Sequence, residues 1–480
     1  MTSFKTQLAV FVLSIIPFWA SIVMPASASD ISAASCSQAA VQAAVNSAAT
    51  GDRVLVPACG TTVWSSTTTI SGKNIIVQGA GAGVTNISTN AFFLNNSASR
   101  ITGFTFTNLA NQGLWVLGSQ GFRIDHNELT CPSENWILFI GSFDVGQRSF
   151  TLTRGVVDSN VVTNCNFVIF GEASDAGERA GSDRWAEPLT LGDENAVYLE
   201  DNTYTVTNCV AGNNGVFCPF VDANNGGRYV ARFNTLTNTY LGWHSNQGPR
   251  GARAAEVYKN TFTLTGTFTS GFSRPYFIRG GTGMVFHNTQ NQNYSENSIS
   301  IDGVRSQTGE CNGSSVMDGN TPGQQGWPCR DQIGRTTDAF YWAAAPGAPA
   351  PSQGSAPMHF WKNTSPAGEV TWSLNGFAPL LPVHLQADRD FYQWTASFNG
   401  TSGIGQGTLA QRPSTCTTGV AYWATDQGEW NSKQAGADGQ LYKCTAPNTW
   451  SLYYTPYPYP HPLRQASGGV PSAPSNLQVQ

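Results

Sequence analysis

A short pattern that ends in asparagine recurs across the middle of this sequence, and it is the feature that most constrains the fold. Each copy has an apolar residue, two further residues and then the Asn. The copies that end at residues 202, 234 and 260 continue with a Thr and another apolar residue. The asparagines are Asn127, Asn160, Asn202, Asn234, Asn260 and Asn288. Recurrence every few tens of residues is typical of a solenoid, in which each repeat adds one coil.

The intervals between these asparagines run from 26 to 42 residues. One coil of a β-solenoid plus a loop of variable length takes about that many residues. Each Asn is predicted at a bend, where its side chain bonds local backbone and where Asn tolerates a left-handed conformation. Stacked Asn side chains also bond one another. We therefore expect a parallel β-helix, and a β-sandwich or propeller with coincidental Asn turns is the alternative.

The composition is that of a turn-rich, all-β protein. The 480 residues include 50 Gly, only 11% are charged, and the net charge is −5. There is no basic stripe, so we expect no nucleic-acid partner. The even count of 10 Cys argues for disulfides in an exported protein, and the chain order suggests local pairs: Cys36–Cys59, Cys131–Cys165, Cys209–Cys218, Cys311–Cys329 and Cys416–Cys444.

The first 28 residues predict a secretory signal peptide. Lys5 supplies a basic start, residues 8–23 an apolar middle, and Ala26-Ser27-Ala28 a small-residue exit. A membrane anchor is the alternative, but no later stretch is apolar for long enough to span a bilayer. We expect a secreted protein, extracellular or periplasmic, that is monomeric and has no membrane partner.

The rest of the chain divides into four further segments. We predict a parallel β-helix over 29–300 with a capping helix near 39–49, and a loop-rich continuation packed on the solenoid over 301–415. Residues 416–464 form a small aromatic β-module, and residues 465–480 a disordered, linker-like tail. The aromatic module is either a flap packed against the solenoid or a sugar-binding module.

Three stretches together give the chain a family resemblance. They are Gly-Asp-Arg-Val-Leu-Val-Pro (51–57) after the capping stretch, Ile-Ile-Val-Gln-Gly-Ala-Gly (75–81), and the Asn repeats. Over residues 36–300 the chain resembles the right-handed parallel β-helix proteins of the pectin-lyase-like superfamily. The resemblance implies the fold. It leaves activity open, because the superfamily includes lyases, hydrolases, esterases, epimerases and non-catalytic proteins.

Aligning the repeats predicts which side chains become vertical neighbours. Strand side chains alternate inward and outward, and neighbouring rungs lie ~4.8 Å apart. The position two before each Asn gives one outward column: Asp125, Asp158, Glu200, Arg232, Tyr258 and Phe286. Three adjacent carboxylates repel unless they are neutralised. Asp158, Glu200 and Asp222 are therefore candidate Ca²⁺ ligands, and a structural Glu200–Arg232 ion pair is the alternative.

The segment 241–256 holds the densest set of candidate catalytic groups. His244 can transfer a proton near neutral pH, and Arg250 and Arg253 offer forked donors that match a carboxylate. Glu256 and Tyr258 follow on the next strand. The candidate catalytic residues are therefore His244, Arg250, Arg253, Glu256 and Tyr258. The candidate substrate-binding residues are Arg228, Arg232, Trp243 as a stacking plane, and Arg279.

These residues favour an enzyme that cleaves an acidic polysaccharide. A polysaccharide lyase needs positive charge to stabilise the anion formed beside a uronate carboxylate, and a base such as His or Tyr. A glycoside hydrolase needs two carboxylic acids ~5–9 Å apart, which Glu256, Glu200, Asp158 and Asp222 could supply. A non-catalytic, glycan-binding solenoid is the third hypothesis.

Overall fold

The chain folds into a parallel β-helix whose three long sheets run along its length. A computed structural model describes residues 28–132, 135–142, 152–172, 189–207, 211–212, 215–216, 219–244, 251–265, 274–294, 298–301, 333–336, 354–373, 385–434 and 436–465. Within these residues nearly all regular structure is β, and most strands pair in parallel with the strand one coil away. The prediction of an all-β parallel β-helix is confirmed.

Sheet A carries the outward columns predicted from the Asn repeats. In the described chain it has 12 strands: Asp30–Ser32, Arg53–Val56, Ile76–Gly79, Arg100–Thr102, Gln120–Asp125, Arg154–Asp158, Val197–Glu200, Arg228–Arg232, Ala254–Tyr258, Thr282–Phe286, Met358–Trp361 and Phe391–Gln393. The last two strands extend the solenoid beyond residue 300.

Sheet B follows sheet A after the Asn turn in each coil. Across the described ranges it has 11 short strands: Cys59–Val63, Thr85–Ser88, Thr105–Thr107, Glu128–Thr130, Val161–Thr163, Thr203–Thr205, Thr235–Thr237, Thr261–Thr263, Thr289–Gln290, Thr364–Ser365 and Gly368–Glu369. The final pair is antiparallel.

Sheet C closes each coil and leads back to sheet A. Its 10 strands in the described residues are Thr68–Ser71, Phe92–Asn95, Trp115–Leu117, Trp136–Ser142, Asn166–Glu172, Pro219–Asn224, Tyr240–Trp243, Tyr276–Ile278, Ser298–Ile301 and Thr371–Ser373. Two small antiparallel ribbons pair Ala211–Gly212 with Gly215–Val216, and Arg335–Thr336 with Gly354–Ser355.

A continuous asparagine ladder fixes the corner between sheets A and B. Asn234 donates from its backbone N to Asn260 Oδ1 at 3.0 Å and from Nδ2 to the same oxygen at 2.8 Å. The pattern repeats up the stack and extends to Asn363, which accepts from Asn288 Nδ2 at 2.8 Å. Buried amides that bond one another in this way hold successive coils in register.

The left-handed residue at this corner is the one before each Asn, and not the Asn itself as predicted. These residues have φ between 53° and 58° and are His126, Ser159, Asp201, Phe233, Lys259, His287 and Lys362. The turn is therefore completed by the preceding residue, which leaves the Asn side chain directed along the stack.

A short helix covers the N-terminal end of the solenoid. Helix α1 (Gln38–Ser47) is capped by the Ser37 side chain, which accepts from Ala40 N, and it buries Val41, Ala44 and Val45. This is the predicted capping helix. The described disulfides join Cys36 to Cys59, Cys131 to Cys165 and Cys416 to Cys444, as predicted. The other two predicted pairs, and the predicted signal peptide up to residue 27, lie outside the described residues.

The C-terminal region forms a separate four-stranded sheet that packs on sheet A. Sheet D consists of Ile404–Gly407, Ala421–Ala424, Gln440–Ala446 and Thr449–Tyr454, with short 3-10 helices at Leu409–Gln411 and Pro462–Arg464. Its buried side chains form one cluster with the outward side chains of sheet A, including Tyr198, Tyr258 and Phe286. None of the helices described is long and apolar enough to cross a membrane.

Candidate functional site

The outward column of sheet A is assembled as the repeats predicted. Asp125 pairs in register with Asp158, Asp158 with Glu200, Glu200 with Arg232, and Arg232 with Tyr258. Residues separated by tens of positions in the chain are therefore vertical neighbours. What their chemistry can do depends on their partners and on whether solvent reaches them.

Each carboxylate in this column is neutralised by an arginine. Arg100 Nε lies 2.7 Å from Asp125 Oδ1, and Arg123 Nε lies 2.8 Å from Asp158 Oδ1. Arg232 Nε lies 2.7 Å from Glu200 Oε2. Burial raises the pKa of Glu200, but Arg232 and Arg464 outweigh burial and hold the pKa below its ordinary value. These pairs match the structural ion-pair alternative.

The chain segment 457–464, which we call the C-terminal strap, lies over this column. Arg232 donates from Nη1 to Tyr457 O at 2.5 Å and from Nη2 to Pro458 O at 2.9 Å. Arg464 Nη1 lies 2.9 Å from Glu200 Oε1. The strap thus supplies the remaining hydrogen-bond partners of the ion pairs, and Glu200 and Arg232 are both 0% exposed.

Glu256 and Tyr258 are also enclosed. Glu256 accepts from Tyr454 Oη at 2.5 Å and from Gly192 N at 2.8 Å, and burial raises its pKa to about 7. The Tyr258 hydroxyl accepts from Arg232 Nη1 at 2.9 Å, and its ring stacks on Phe286. Both side chains lie under sheet D, where they join the solenoid to the C-terminal region.

The predicted Ca²⁺ ligands Asp158 and Glu200 do not fit a cation. Their carboxylate oxygens already accept from Arg123, Arg232 and Arg464, and a positive neighbour competes with a metal. Among the described residues no group of three or more His, Cys, Asp or Glu could hold a metal ion. A role for Ca²⁺ in this protein stays a prediction for experiment.

Three other predicted residues are buried. Arg228 is 5% exposed and Arg253 2%. Trp243 is 0% exposed and packs edge-on to Tyr229 in the solenoid interior, so its ring is not available to a sugar at the surface. Arg250 lies outside the described residues.

Sheet C brings together the remaining predicted residues, and we call Asp222, His244 and Arg279 the sheet C cluster. Asp222 is on strand Pro219–Asn224, whereas His244 and Arg279 directly follow strands Tyr240–Trp243 and Tyr276–Ile278. His244 N donates to Ala223 O at 2.9 Å, and Arg279 N donates to Trp243 O at 3.0 Å. The three side chains therefore come from three consecutive rungs of one sheet.

The central contact of the cluster joins His244 Nε2 to Asp222 Oδ2. Arg279 Nη2 lies 3.8 Å from the other carboxylate oxygen, Oδ1. The side chains of His244 and Asp222 are each 15% exposed, while that of Arg279 is 2% exposed. The imidazole thus has a carboxylate behind it and partial access to solvent, which the buried column of sheet A lacks.

The surroundings favour an ionised Asp222. Burial raises the pKa of Asp222, but His244 and Arg279 outweigh burial and hold it below its ordinary value. An ionised carboxylate can only accept, so His244 Nε2 carries the proton and donates it. When the imidazole is in its neutral form, Nδ1 is therefore the basic nitrogen. A carboxylate that orients a histidine in this way is the arrangement of a general base.

Gly242 makes room for this contact. Gly242 pairs in register with Asp222, and a Cβ on Gly242 would lie 3.0 Å from Asp222 Oδ1. That distance is tighter than ordinary contact, so a larger residue would push the carboxylate away from His244. Glycine at this position accommodates the close approach of the Asp222 side chain.

Positive charge gathers beside the cluster around Phe277. The guanidinium carbon of Arg279 lies 4.5 Å from the centroid of the Phe277 ring, and that of Arg274 lies 5.9 Å from it. Phe277 pairs in register with Gly242, which itself pairs with Asp222, so the ring that both arginines approach lies two rungs from Asp222. Guanidinium groups match the geometry of a carboxylate.

An apolar row leads along the outer face of sheet C to the cluster. In register order the row runs through Phe93, Trp115, Leu138 and Val168, and the next residue in register is Asp222. Phe93 and Trp115 stack with ring centroids 4.4 Å apart. Leu138 and Val168 form a cluster separate from the solenoid core, and nearby Trp136 is 42% exposed. Aromatic faces of this kind can stack on sugar rings.

The sequence identified Asp222, His244 and Arg279 as candidate site residues, but it did not identify the face of the fold on which they meet. Sequence reasoning also missed Phe277, Gly242 and the apolar row. The alternation of side chains along the strand was the available signal for the face on which these residues lie. Since side chains alternate, an outward His244 requires an inward Trp243, and the outward positions of neighbouring rungs then follow.

The fold and cluster define a parallel β-helix protein with an Asp–His pair and arginines on one sheet. Two solved structures are similar to the chain. One is the crystal structure of alginate lyase from Paenibacillus sp. str. FPU-7, with 12% identity and a TM-score of 0.34 over 73% of this chain and 99% of that one. The other, from Geobacillus virus E2 and titled ORF18, has 13% identity and a TM-score of 0.25 over 57% of each chain.

At these values neither likeness bears on function. No protein-family model matches the chain, and no curated protein matches it. Function must therefore be inferred from the site itself.

Proposed function

We propose that this protein is an exported polysaccharide lyase of the pectin-lyase-like superfamily that cleaves a uronate-containing polymer at the sheet C cluster. The observation that supports this most strongly is the contact between Asp222 and His244 beside Arg279. An oriented base next to cationic groups is what β-elimination requires. The described disulfides fit an oxidising compartment.

In this mechanism His244 removes the proton from the sugar carbon next to the carboxylate. Its Nδ1 takes the proton while Asp222 holds Nε2 and stabilises the imidazolium that forms. The electron pair of the broken C–H bond moves first onto the carboxylate. It then forms a carbon–carbon double bond as the glycosidic C–O bond breaks, and the imidazolium returns its proton to the departing oxygen.

The arginines stabilise the charge that develops on the substrate. Removal of the proton places a second negative charge on the uronate carboxylate, and a preorganised cation stabilises that state more than the ground state. We assign Arg274, which is half-buried beside Phe277, to the uronate carboxylate. Arg279 is almost fully buried and faces Asp222, so it positions the carboxylate that orients His244.

The cluster gives two alternative functions less support than the lyase. A glycoside hydrolase needs a pair of acids, whereas Asp222 is the one carboxylate of the cluster as the described residues define it. A non-catalytic glycan-binding protein would bind sugars on the aromatic side chains Phe93, Trp115 and Trp136 and would not use His244 as a base. The Asp222–His244 contact favours the lyase.

The test is to incubate the purified protein with a panel of uronate polymers, with and without a chelator. Both ultraviolet absorbance of the new double bond and reducing ends are followed. A lyase raises both signals, whereas a hydrolase raises reducing ends alone. Retention on a polymer without either signal supports the binding protein. Loss of activity with chelator would support the Ca²⁺ prediction.

A further inference from the structure

A pocket of about 400 Å³ lies where the last coil of the solenoid meets sheet D. Its walls include Trp394, Phe398 and Tyr422 as aromatic residues, and Lys362, Gln406 and Gln411 as polar ones. Pockets that bind small ligands enclose roughly 300–1,000 Å³. The pocket borders sheet A and the C-terminal region, whereas the Asp222–His244 contact belongs to sheet C.

Lys362 gives the pocket its charge. Of the described residues that line the pocket, Lys362 alone is charged. Its Nζ lies 3.7 Å from the centroid of the Trp394 ring and 3.6 Å from Glu369 Oε2. The side chain is 30% exposed. Lys362 also occupies the left-handed position before Asn363, so the ladder fixes its backbone.

The opposite wall is shaped by glycines of sheet D. A Cβ on Gly405 would lie 2.2 Å from the Phe398 ring, and one on Gly407 would lie 2.5 Å from the Tyr422 hydroxyl. The glycines therefore let these aromatic side chains lie close against the strand. Gln411 is held in place as well, because its Oε1 accepts from Thr408 N at 2.9 Å.

We propose that this pocket is a second binding site of the protein, for an acidic sugar unit of the polymer and separate from the sheet C cluster. Aromatic walls stack on the apolar face of a sugar ring, and fixed amides bond its hydroxyl groups. The Lys362 ammonium pairs with the sugar carboxylate. The choice of a uronate rests on the proposed function, while the pocket and its charge do not.

The experiment measures affinity for a soluble uronate polymer and for a neutral polymer of similar length, by isothermal titration calorimetry. The variants are Lys362→Gln and Trp394→Ala, made in a His244→Gln background so that the polymer stays intact. Both are expected to bind the uronate polymer about tenfold more weakly, because Lys362→Gln removes the charge that pairs with the carboxylate and Trp394→Ala removes an aromatic wall. Lys433→Gln is the matched control, because Lys433 also lies over an aromatic ring, Tyr459, but outside the pocket.

The outcomes separate this inference from the lyase proposal. Unchanged affinity in both pocket variants overturns it, as does equal affinity of the parent protein for the neutral polymer or an equal loss in Lys433→Gln. If Trp394→Ala does not fold, Lys362→Gln decides alone, because its side chain is partly exposed. Loss of binding in the pocket variants supports the second site even if the wild type forms no unsaturated product, a result that would defeat only the lyase proposal.

Discussion

Arg232 Nε lies 2.7 Å from Glu200 Oε2, although 32 residues separate the two in the chain. They are neighbours because their strands pair in parallel and in register within sheet A. Both side chains are 0% exposed, and the C-terminal strap completes their hydrogen bonds. The pair therefore joins the solenoid to the C-terminal region.

Removing one member of this pair should destabilise the protein strongly. Arg232→Met leaves Glu200 as a buried charge with one fewer cation, a change that typically costs ~3–5 kcal/mol. The free energy of unfolding from denaturant titration measures the loss. Arg53→Gln is the control, since its partner Asp30 is 51% exposed and exposed pairs contribute little to stability. Equal losses in the two variants would contradict the buried role.

The asparagine ladder should be sensitive to a single truncation. Asn234→Ala removes hydrogen bonds to Asn260 Oδ1 and Leu199 O, and it removes the Oδ1 that accepts from Asn202 Nδ2. Each buried group left without a partner costs ~1–3 kcal/mol, so a loss of several kcal/mol is expected in denaturant titration. Asn46→Ala, on the exposed face of the capping helix, should lose less than about 1 kcal/mol. A neutral Asn234→Ala would contradict the ladder's role.

Stability should fall as pH rises towards neutrality because of Glu256. Burial raises its pKa from 4.5 to about 7 in the folded protein. The folded state therefore holds a proton between these values that the unfolded state has lost. The stabilisation is complete below pH 4.5 and is lost as pH rises to about 7. A shift of this size corresponds to about 3 kcal/mol at most.

The variant Glu256→Gln tests this directly. Glutamine keeps the shape of a protonated Glu and cannot ionise. The contribution of residue 256 to the pH dependence of unfolding therefore disappears in the variant. The difference in free energy of unfolding between pH 4.5 and 8 should be smaller in the variant than in the wild type. Identical pH profiles would show that Glu256 is not protonated in the folded protein.

The columns of sheet A could be predicted because the Asn repeats set the register. A repeated interval between Ile124, Val157, Leu199 and Ala231 and the following Asn fixes both the inward face and the outward neighbours. The cover over that face could not be predicted. Nothing in the sequence indicates that Tyr454 and Arg464 bond to Glu256 and Glu200, because contacts between distant segments leave no periodic pattern.

Sheet C was less predictable because its strands keep no constant distance from the ladder. Loops of different length separate Val168, Asp222 and Phe277, so alignment on the Asn does not align these residues. His244 was identified by its chemical context, whereas its partner Asp222 was named as a metal ligand. The structure shows Asp222 beside the imidazole, where an orienting role is the simpler interpretation.

Asp222 should act through His244 and not through substrate binding. Asp222→Asn can hold the opposite tautomer of the imidazole, which places the proton on Nδ1 and blocks the base. We expect kcat to fall by about 10²–10⁴-fold with KM nearly unchanged, and the thermal transition to stay close to that of the wild type. A rise in KM alone would place Asp222 in substrate binding and contradict the orienting role.

The most direct measurement compares unsaturated product formed by the wild type and by His244→Gln on the most active uronate polymer. The matched control is His126→Gln, since His126 also contacts an aspartate, Asp125 at 2.6 Å, but on sheet A. Loss of at least about 10²-fold in ultraviolet absorbance for His244→Gln, with His126→Gln near the wild-type rate, is the expected result. A His244→Gln protein that forms product at the wild-type rate would contradict catalysis at the sheet C cluster.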